Sequence, residues 1–280
     1  ILFLAVLVNF SFADDHADKL DKIVNEYNNL GMFSGNVLVA KDGNIIYEKQ
    51  FGYADWEKKT PVTPETLFRI SSLNKMFTHT MLKQLEKENK LSIDDPLSKY
   101  LDLFPKETGD KITIKMLLEM KAGLGDYLMN PAFNQNRNKF KTVNDFLEII
   151  KDEPLLFEPG TGREYSNSGY VVLGGIIEKV TGKSYVDNLK ERLITPLGLR
   201  NTHYLLLGET VPNMANGTRI TFSGNKVNSP VLEQTSPAGG MFSNAHDLLK
   251  LDQYLRQTGL LGQAIRAGGT QVWNSVLAQM

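Results

Sequence analysis

An α+β fold, an antiparallel sheet flanked by helices with a mostly helical middle region, is the class predicted by this sequence of 280 residues. Three observations predict it. Strand signals come early, a long stretch of helical periodicity follows, and the βαβ alternation that builds parallel sheets is nearly absent. Residues 34–48 read as a hairpin, in which two apolar, β-branched runs flank Lys41-Asp-Gly-Asn44 and Gly43 supplies the positive φ of a tight turn. A two-stranded hairpin does not stand alone in water, so further strands are expected to join it from the C-terminal part.

The remaining elements follow in order. Leu20, Ile23, Val24, Tyr27 and Leu30 recur at helical spacing, which predicts an amphipathic first helix with Tyr27 in the core. Gly52-Tyr-Ala-Asp55 closes the second strand of the hairpin. A loop rich in Thr and Pro (60–66) leads to Leu67-Phe-Arg-Ile70 and then Ser71-Ser-Leu-Asn-Lys75. A helix follows, with Met76, Phe77, Met81, Leu82 and Leu85 on its apolar face, and either Ser71 or Ser72 suits its N-cap. Short helices are predicted over Ile114–Met120, Val143–Lys151, Gly169–Thr181 and Tyr185–Leu193. Pro154, Pro159 and Gly160 punctuate the approach to Tyr165.

Composition narrows the function classes. With 41% hydrophobic and 22% charged residues and a net charge of −1, the chain is an ordinary globular protein. No run of Lys or Arg exceeds two residues, so it lacks the basic footprint of a nucleic-acid or anionic-membrane binder. The absence of cysteine removes disulfides, thiol nucleophiles, zinc–thiolate sites and the cysteine of a lipid anchor. Four scattered histidines (His16, His79, His203, His246) show no ligand spacing, so neither a metal nor a cofactor is expected. Residues 1–13, an apolar run ending in Ser11-Phe-Ala13 before Asp14-Asp15, resemble the hydrophobic region and cleavage site of a signal peptide. The run is too short for a stable membrane span. The expected organisation is a signal-peptide remnant over 1–13 and one domain over 14–280, in an exported protein, periplasmic or secreted.

The candidate chemistry starts at Ser72-Leu-Asn-Lys75. At the start of a helix, a residue three positions on lies over the same face, bringing the lysine amine to the serine hydroxyl. A serine hydroxyl is a poor nucleophile until a base takes its proton. Lysine serves as that base only if burial, nearby positive charge or the positive end of the helix favours its neutral form. Ser223-Gly-Asn-Lys226 shares the spacing but reads as a turn. Tyr165-Ser-Asn167, in a Gly-rich loop before a helix, is the second candidate. A tyrosine oxygen near Lys75 could share proton transfer, and the Asn167 amide could orient a substrate carbonyl. Tyr27-Asn-Asn29 repeats this spacing.

Together these segments resemble the serine β-lactamase and penicillin-binding protein superfamily, in its class C β-lactamase-like branch. The stretches that carry the resemblance are Phe68–Lys75, Pro159–Tyr170, Leu197-Gly-Leu199 and Ser236-Pro-Ala-Gly-Gly-Met-Phe-Ser243, in order between about residues 20 and 255. The resemblance implies a β-lactamase/transpeptidase-like fold, with Ser72 acylated, Lys75 as its base partner, and Tyr165 with Asn167 as a second catalytic element. It implies acyl-enzyme hydrolysis of a β-lactam, a D-Ala-D-Ala peptide of peptidoglycan or a small carboxylic ester.

Three departures stand out. Leu117-Leu-Glu-Met-Lys-Ala-Gly123 replaces the family's Leu-Leu-x-His-Thr-Ser-Gly, Ser71 stands where glycine is common, and no Lys-Thr-Gly or His-x-Gly follows residue 243. The tail offers only Ala267-Gly-Gly-Thr270, so C-terminal strands are expected to be missing. That leaves a non-catalytic, cell-wall-binding or degenerate member of the fold as the alternative.

Overall fold

The computed structural model describes residues 10–31, 33–230 and 234–260, so residues 1–9 of the apolar N-terminal run and Ala267–Thr270 lie outside the described residues. The chain divides into two compact units: Ile1–Phe68 with Val211–Val231 and Asn244–Leu249, and Arg69–Thr210 with Leu232–Ser243 and Lys250–Met280.

The first unit holds helix α1 (Phe10–Asn29) and strands β1 (Gly35–Lys41), β2 (Asn44–Phe51), β3 (Tyr53–Asp55), β4 (Thr60–Pro61) and β5 (Phe68–Arg69), the last leading out of it. β6 (Gly217–Ile220) and β7 (Lys226–Ser229) return to it. β1 and β2 form the predicted antiparallel hairpin, with Lys41 opposite Asn44. Its turn residues Asp42 and Gly43 have φ of +51° and +80°, the two positive values that a tight turn between right-twisted strands requires. β2 stops at Phe51 rather than running on to Asp55, because Gly52 turns the chain at φ +71° and Tyr53–Asp55 pairs instead with Thr60–Pro61. β6 and β7 are joined by a turn that holds Ser223, as expected, while Lys226 is the first residue of β7. Among the described residues the strands form short two-stranded sheets, and no third strand joins β1 and β2.

α1 lies against β2, where Asp21 accepts hydrogen bonds from Tyr47 Oη at 3.0 Å and Lys49 Nζ at 2.7 Å. Its apolar stripe is wider than a two-stranded ribbon can cover, the strands being only about 5 Å apart. Leu20 and Val24 are half-buried, but Tyr27 is 48% exposed, so the expected core position for Tyr27 is not realised.

The second unit is helical: α2 (Asn74–Lys87), α3 (Lys106–Lys111), α4 (Ile114–Leu118), α5 (Pro131–Gln135), α6 (Val143–Ile150), α7 (Asn167–Thr181), α8 (Tyr185–Leu189), α9 (Thr195–Leu197) and the short strand β8 (Phe242–Ser243). α10 (Ala245–Gln257) closes the described chain. α7 is the hub, with α2, α4, α6 and α8 packed round it. Its Val171, Val172, Leu173, Ile176 and Ile177 are fully buried. Gly174 lets it approach a loop closely, since a Cβ there would lie 2.5 Å from Pro237 Cγ. Beside it, Tyr127, Phe133, Phe140 and Phe146 stack mostly edge to face with centroids 5.0–5.9 Å apart. Caps fix the helix starts: Thr142 and Asp145 form a capping box on α6, and Ser166 Oγ accepts from Gly169 N on α7.

His79, on α2, is 3% exposed, and neither ring nitrogen has a hydrogen-bond partner. Burial, helped by Lys83 and opposed by Glu86, lowers its pKa from 6.5 to about 4. Between those pH values the unfolded chain takes up a proton here that the folded chain refuses, so stability falls as pH drops from 6.5 towards 4. The full effect is about 3 kcal/mol. Denaturant titrations at pH 7 and pH 5 should show this loss in the wild type and a smaller one in His79→Leu; equal losses would disprove the assignment.

Candidate active site

Ser72, Lys75, Tyr165 and Asn167, far apart in sequence, are brought together within the second unit. Ser72 lies in a 3₁₀ turn, Ser71–Leu73, that runs directly into α2. The expectation that Ser71 or Ser72 caps the helix is not met. Ile70 and Leu73 occupy the two cap positions, and neither start carries a side-chain cap. The 3₁₀ turn begins at Ser71, ahead of the periodic apolar face that starts at Met76, which moves both serines inside the helical segment. Ser72 Oγ instead lies 2.6 Å from Tyr165 Oη and accepts from Lys75 Nζ at 3.2 Å. Its side chain is half-buried and reachable from solvent.

Ser71 adopts φ +44°, the left-handed region. A side chain costs about 1–2 kcal/mol there, which is the physical reason for glycine at this position in the resembling family. Ser71→Gly should therefore raise Tm by about 2 °C without slowing labelling of the site. An unchanged or lower Tm in a thermal melt would contradict this.

Lys75 is 4% exposed, and its Nζ is held by oxygens. Nζ donates to Asn167 Oδ1 at 2.6 Å and to the Ala238 carbonyl at 2.6 Å, besides the longer contact to Ser72. The rings of Tyr165 and Tyr170 lie 4.9 and 5.4 Å from Nζ. The two bonds to acceptors are short and the one to the hydroxyl is longer. A neutral amine has two hydrogens for the two acceptors and a lone pair left for Ser72.

The third wall is the turn Ser236–Met241. Ser236 N donates to Gly239 O at 2.9 Å, and the turn is pinned to α2 by Asn74 Nδ2 on Ser236 O (2.6 Å) and Thr78 Oγ1 on Pro237 O (2.7 Å). Tyr127 Oη lies 2.9 Å from Ser236 Oγ. Asn167, the first residue of α7, uses Oδ1 on Lys75 and Nδ2 on Asp126 Oδ2 at 2.7 Å. Ala238 and Asp126 were not among the expected site residues. A backbone carbonyl carries no signature of its own, although the Ser236–Ser243 stretch does stand among the resembling segments.

Histidine plays no part in this cluster, and among the described residues no three His, Asp or Glu side chains gather as metal ligands. No helix among them is long and apolar enough to cross a membrane.

A family model described as Beta-lactamase matches residues 17–274, and the chain belongs to the beta-lactamase family. It is 33% identical over 247 residues to Penicillin-binding protein 4* of Bacillus subtilis (83% of this chain, 54% of that protein). It is 31% identical over 245 residues to a teichoic acid D-alanine hydrolase of Staphylococcus aureus (87% and 59%). The chain thus spans little more than half the length of these curated relatives. Among solved structures, a penicillin-binding protein from Bacillus halodurans superposes with a TM-score of 0.77 at 26% identity, covering 86% of this chain and 74% of that one. The expected β-lactamase/penicillin-binding-protein fold is therefore the one observed.

Proposed function

We propose that the protein hydrolyses a carbonyl substrate through an acyl-enzyme on Ser72. The observation that carries this reading is the Ser72 hydroxyl held between Tyr165 Oη at 2.6 Å and Lys75 Nζ at 3.2 Å. In the proposed cycle Lys75, as neutral amine, takes the Ser72 proton directly or through Tyr165. Oγ then bonds to the carbonyl carbon. Collapse of the tetrahedral adduct returns the proton to the leaving nitrogen or oxygen through the same pair, leaving a seryl ester. A water activated by that pair cleaves the ester. Asn167 anchors the amine through Oδ1, and the second hydrogen of its Nδ2 is its remaining means of orienting a substrate carbonyl.

The substrate classes are a β-lactam, a D-Ala-D-Ala peptide of peptidoglycan or a small carboxylic ester. The relative named as a teichoic acid D-alanine hydrolase adds a D-alanyl ester to the set. The apolar run over residues 1–13 supports export, to the periplasm or medium, where such substrates are met.

The test is labelling with a fluorescent penicillin and with a fluorophosphonate, read by intact mass and peptide mapping. One adduct, mapped to the peptide bearing Ser72, is expected. Folded protein that takes neither label would overturn the reading, and an adduct on another residue would overturn the choice of nucleophile.

A further inference from the structure

Two three-residue segments lie side by side behind Lys75. Residues 125–127 join residues 166–168 rung by rung. Ser166 Oγ donates to Gly125 O at 2.7 Å, Asn167 Nδ2 to Asp126 Oδ2 at 2.7 Å, and Tyr127 N to Ser168 Oγ at 2.8 Å. Asp126 is itself held, because its Oδ1 accepts from Leu128 N at 3.0 Å and caps the short 3₁₀ turn Tyr127–Met129. Tyr127 is anchored in the aromatic cluster and reaches Ser236 Oγ.

An asparagine amide can face either way round, and its two ends differ only in hydrogen-bonding sense. A carboxylate only accepts. With Asp126 on one side, Asn167 has to present its NH₂ there and its oxygen to Lys75. Reversed, it would set an oxygen against the carboxylate and an NH₂ against the ammonium.

From this arrangement we infer that Asp126 is a positioning residue: it fixes the Asn167 amide so that Oδ1 holds Lys75 Nζ against Ser72. Asp126 touches neither Ser72 nor a substrate, and it acts through Asn167. The inference rests on the proposed roles of Ser72 and Lys75 for its kinetic part only. Besides Asp126, the titratable side chains of Tyr165 and Tyr170 face Lys75, their rings flanking Nζ.

Asp126→Asn is the informative variant, because it keeps the shape and one acceptor oxygen but no longer dictates which way Asn167 faces. Fluorophosphonate labelling of the full chain should slow about ten- to hundredfold, the scale of a misplaced reacting group. The acid limb of its pH profile should move down, since Lys75 loses both a nearby carboxylate charge and an acceptor that favour its charged form. Asp126→Glu should recover part of the rate, while Asp126→Leu should not.

A readout that needs no turnover separates this inference from the proposed function. In lysine-selective ¹⁵N NMR, the Lys75 titration midpoint should fall by about one pH unit in Asp126→Asn. An unmoved midpoint would overturn the positioning role whether or not the wild type takes label. Equal slowing in all three variants with an unmoved pH profile would also overturn it, because that is loss of packing alone. Absence of labelling in the wild type together with a displaced midpoint and displaced Asn167 side-chain amide resonances would keep the positioning role and overturn the acyl-enzyme reading.

Discussion

Ser72→Ala is expected to abolish covalent labelling by penicillin or fluorophosphonate and to leave the protein as stable as the wild type. The first half follows from chemistry, because the half-buried Ser72 hydroxyl has a lysine amine and a tyrosine oxygen at hydrogen-bond distance. The second half follows from the structure of the turn. The hydroxyl of Ser72 caps no helix, so its removal leaves no helix-terminal N–H without a side-chain acceptor. Tyr165 is only half-buried in its loop. Intact mass on the labelled variant and a thermal melt check the two halves. An adduct that persists in Ser72→Ala would remove Ser72 as nucleophile, and a melt lowered by several degrees would show that its hydroxyl has a structural role.

Lys75→Met carries the second large effect, and unlike the first it should be felt twice. A positioned base contributes on the order of 10²–10⁴-fold, so labelling should slow by that amount. The variant also strips Asn167 Oδ1 and the Ala238 carbonyl of their buried donor, which costs about 1–3 kcal/mol for each group left unsatisfied. Stopped-time labelling and denaturant unfolding separate the two losses. A variant with lost labelling and untouched stability would mean that the turn at Ala238 stands without the lysine. One with lowered stability and wild-type labelling would mean that the base lies elsewhere.

Local signals made part of this molecule legible in the sequence. The hairpin could be read because Asp42-Gly43 permits so few turns, and the central helices because their apolar residues repeat at the right interval. Ser72, Lys75, Tyr165 and Asn167 could be named because the two motifs sit at the starts of helices. The rest was set by contacts over long sequence separations. The serines missed the cap because a 3₁₀ turn precedes α2, a choice made where Ile70 N binds Met241 O and Gly240 N binds Ser71 O. Tyr27 missed the core because helical periodicity reports which face is apolar, and a neighbour must still exist to cover it. Asp126 passed unnoticed because an acidic residue in a loop is usually a turn former, and only the fold sets it against Asn167.

The bond from Lys75 to Ala238 bears on how such a chain changes over generations. A lineage that abandoned the chemistry would still be under selection to keep the lysine, because the turn at Ser236–Met241 leans on it. The serine enjoys no such protection, since its hydroxyl caps no helix. Among relatives that share the proposed function, a surviving lysine therefore reports on the scaffold, and a surviving serine on the chemistry.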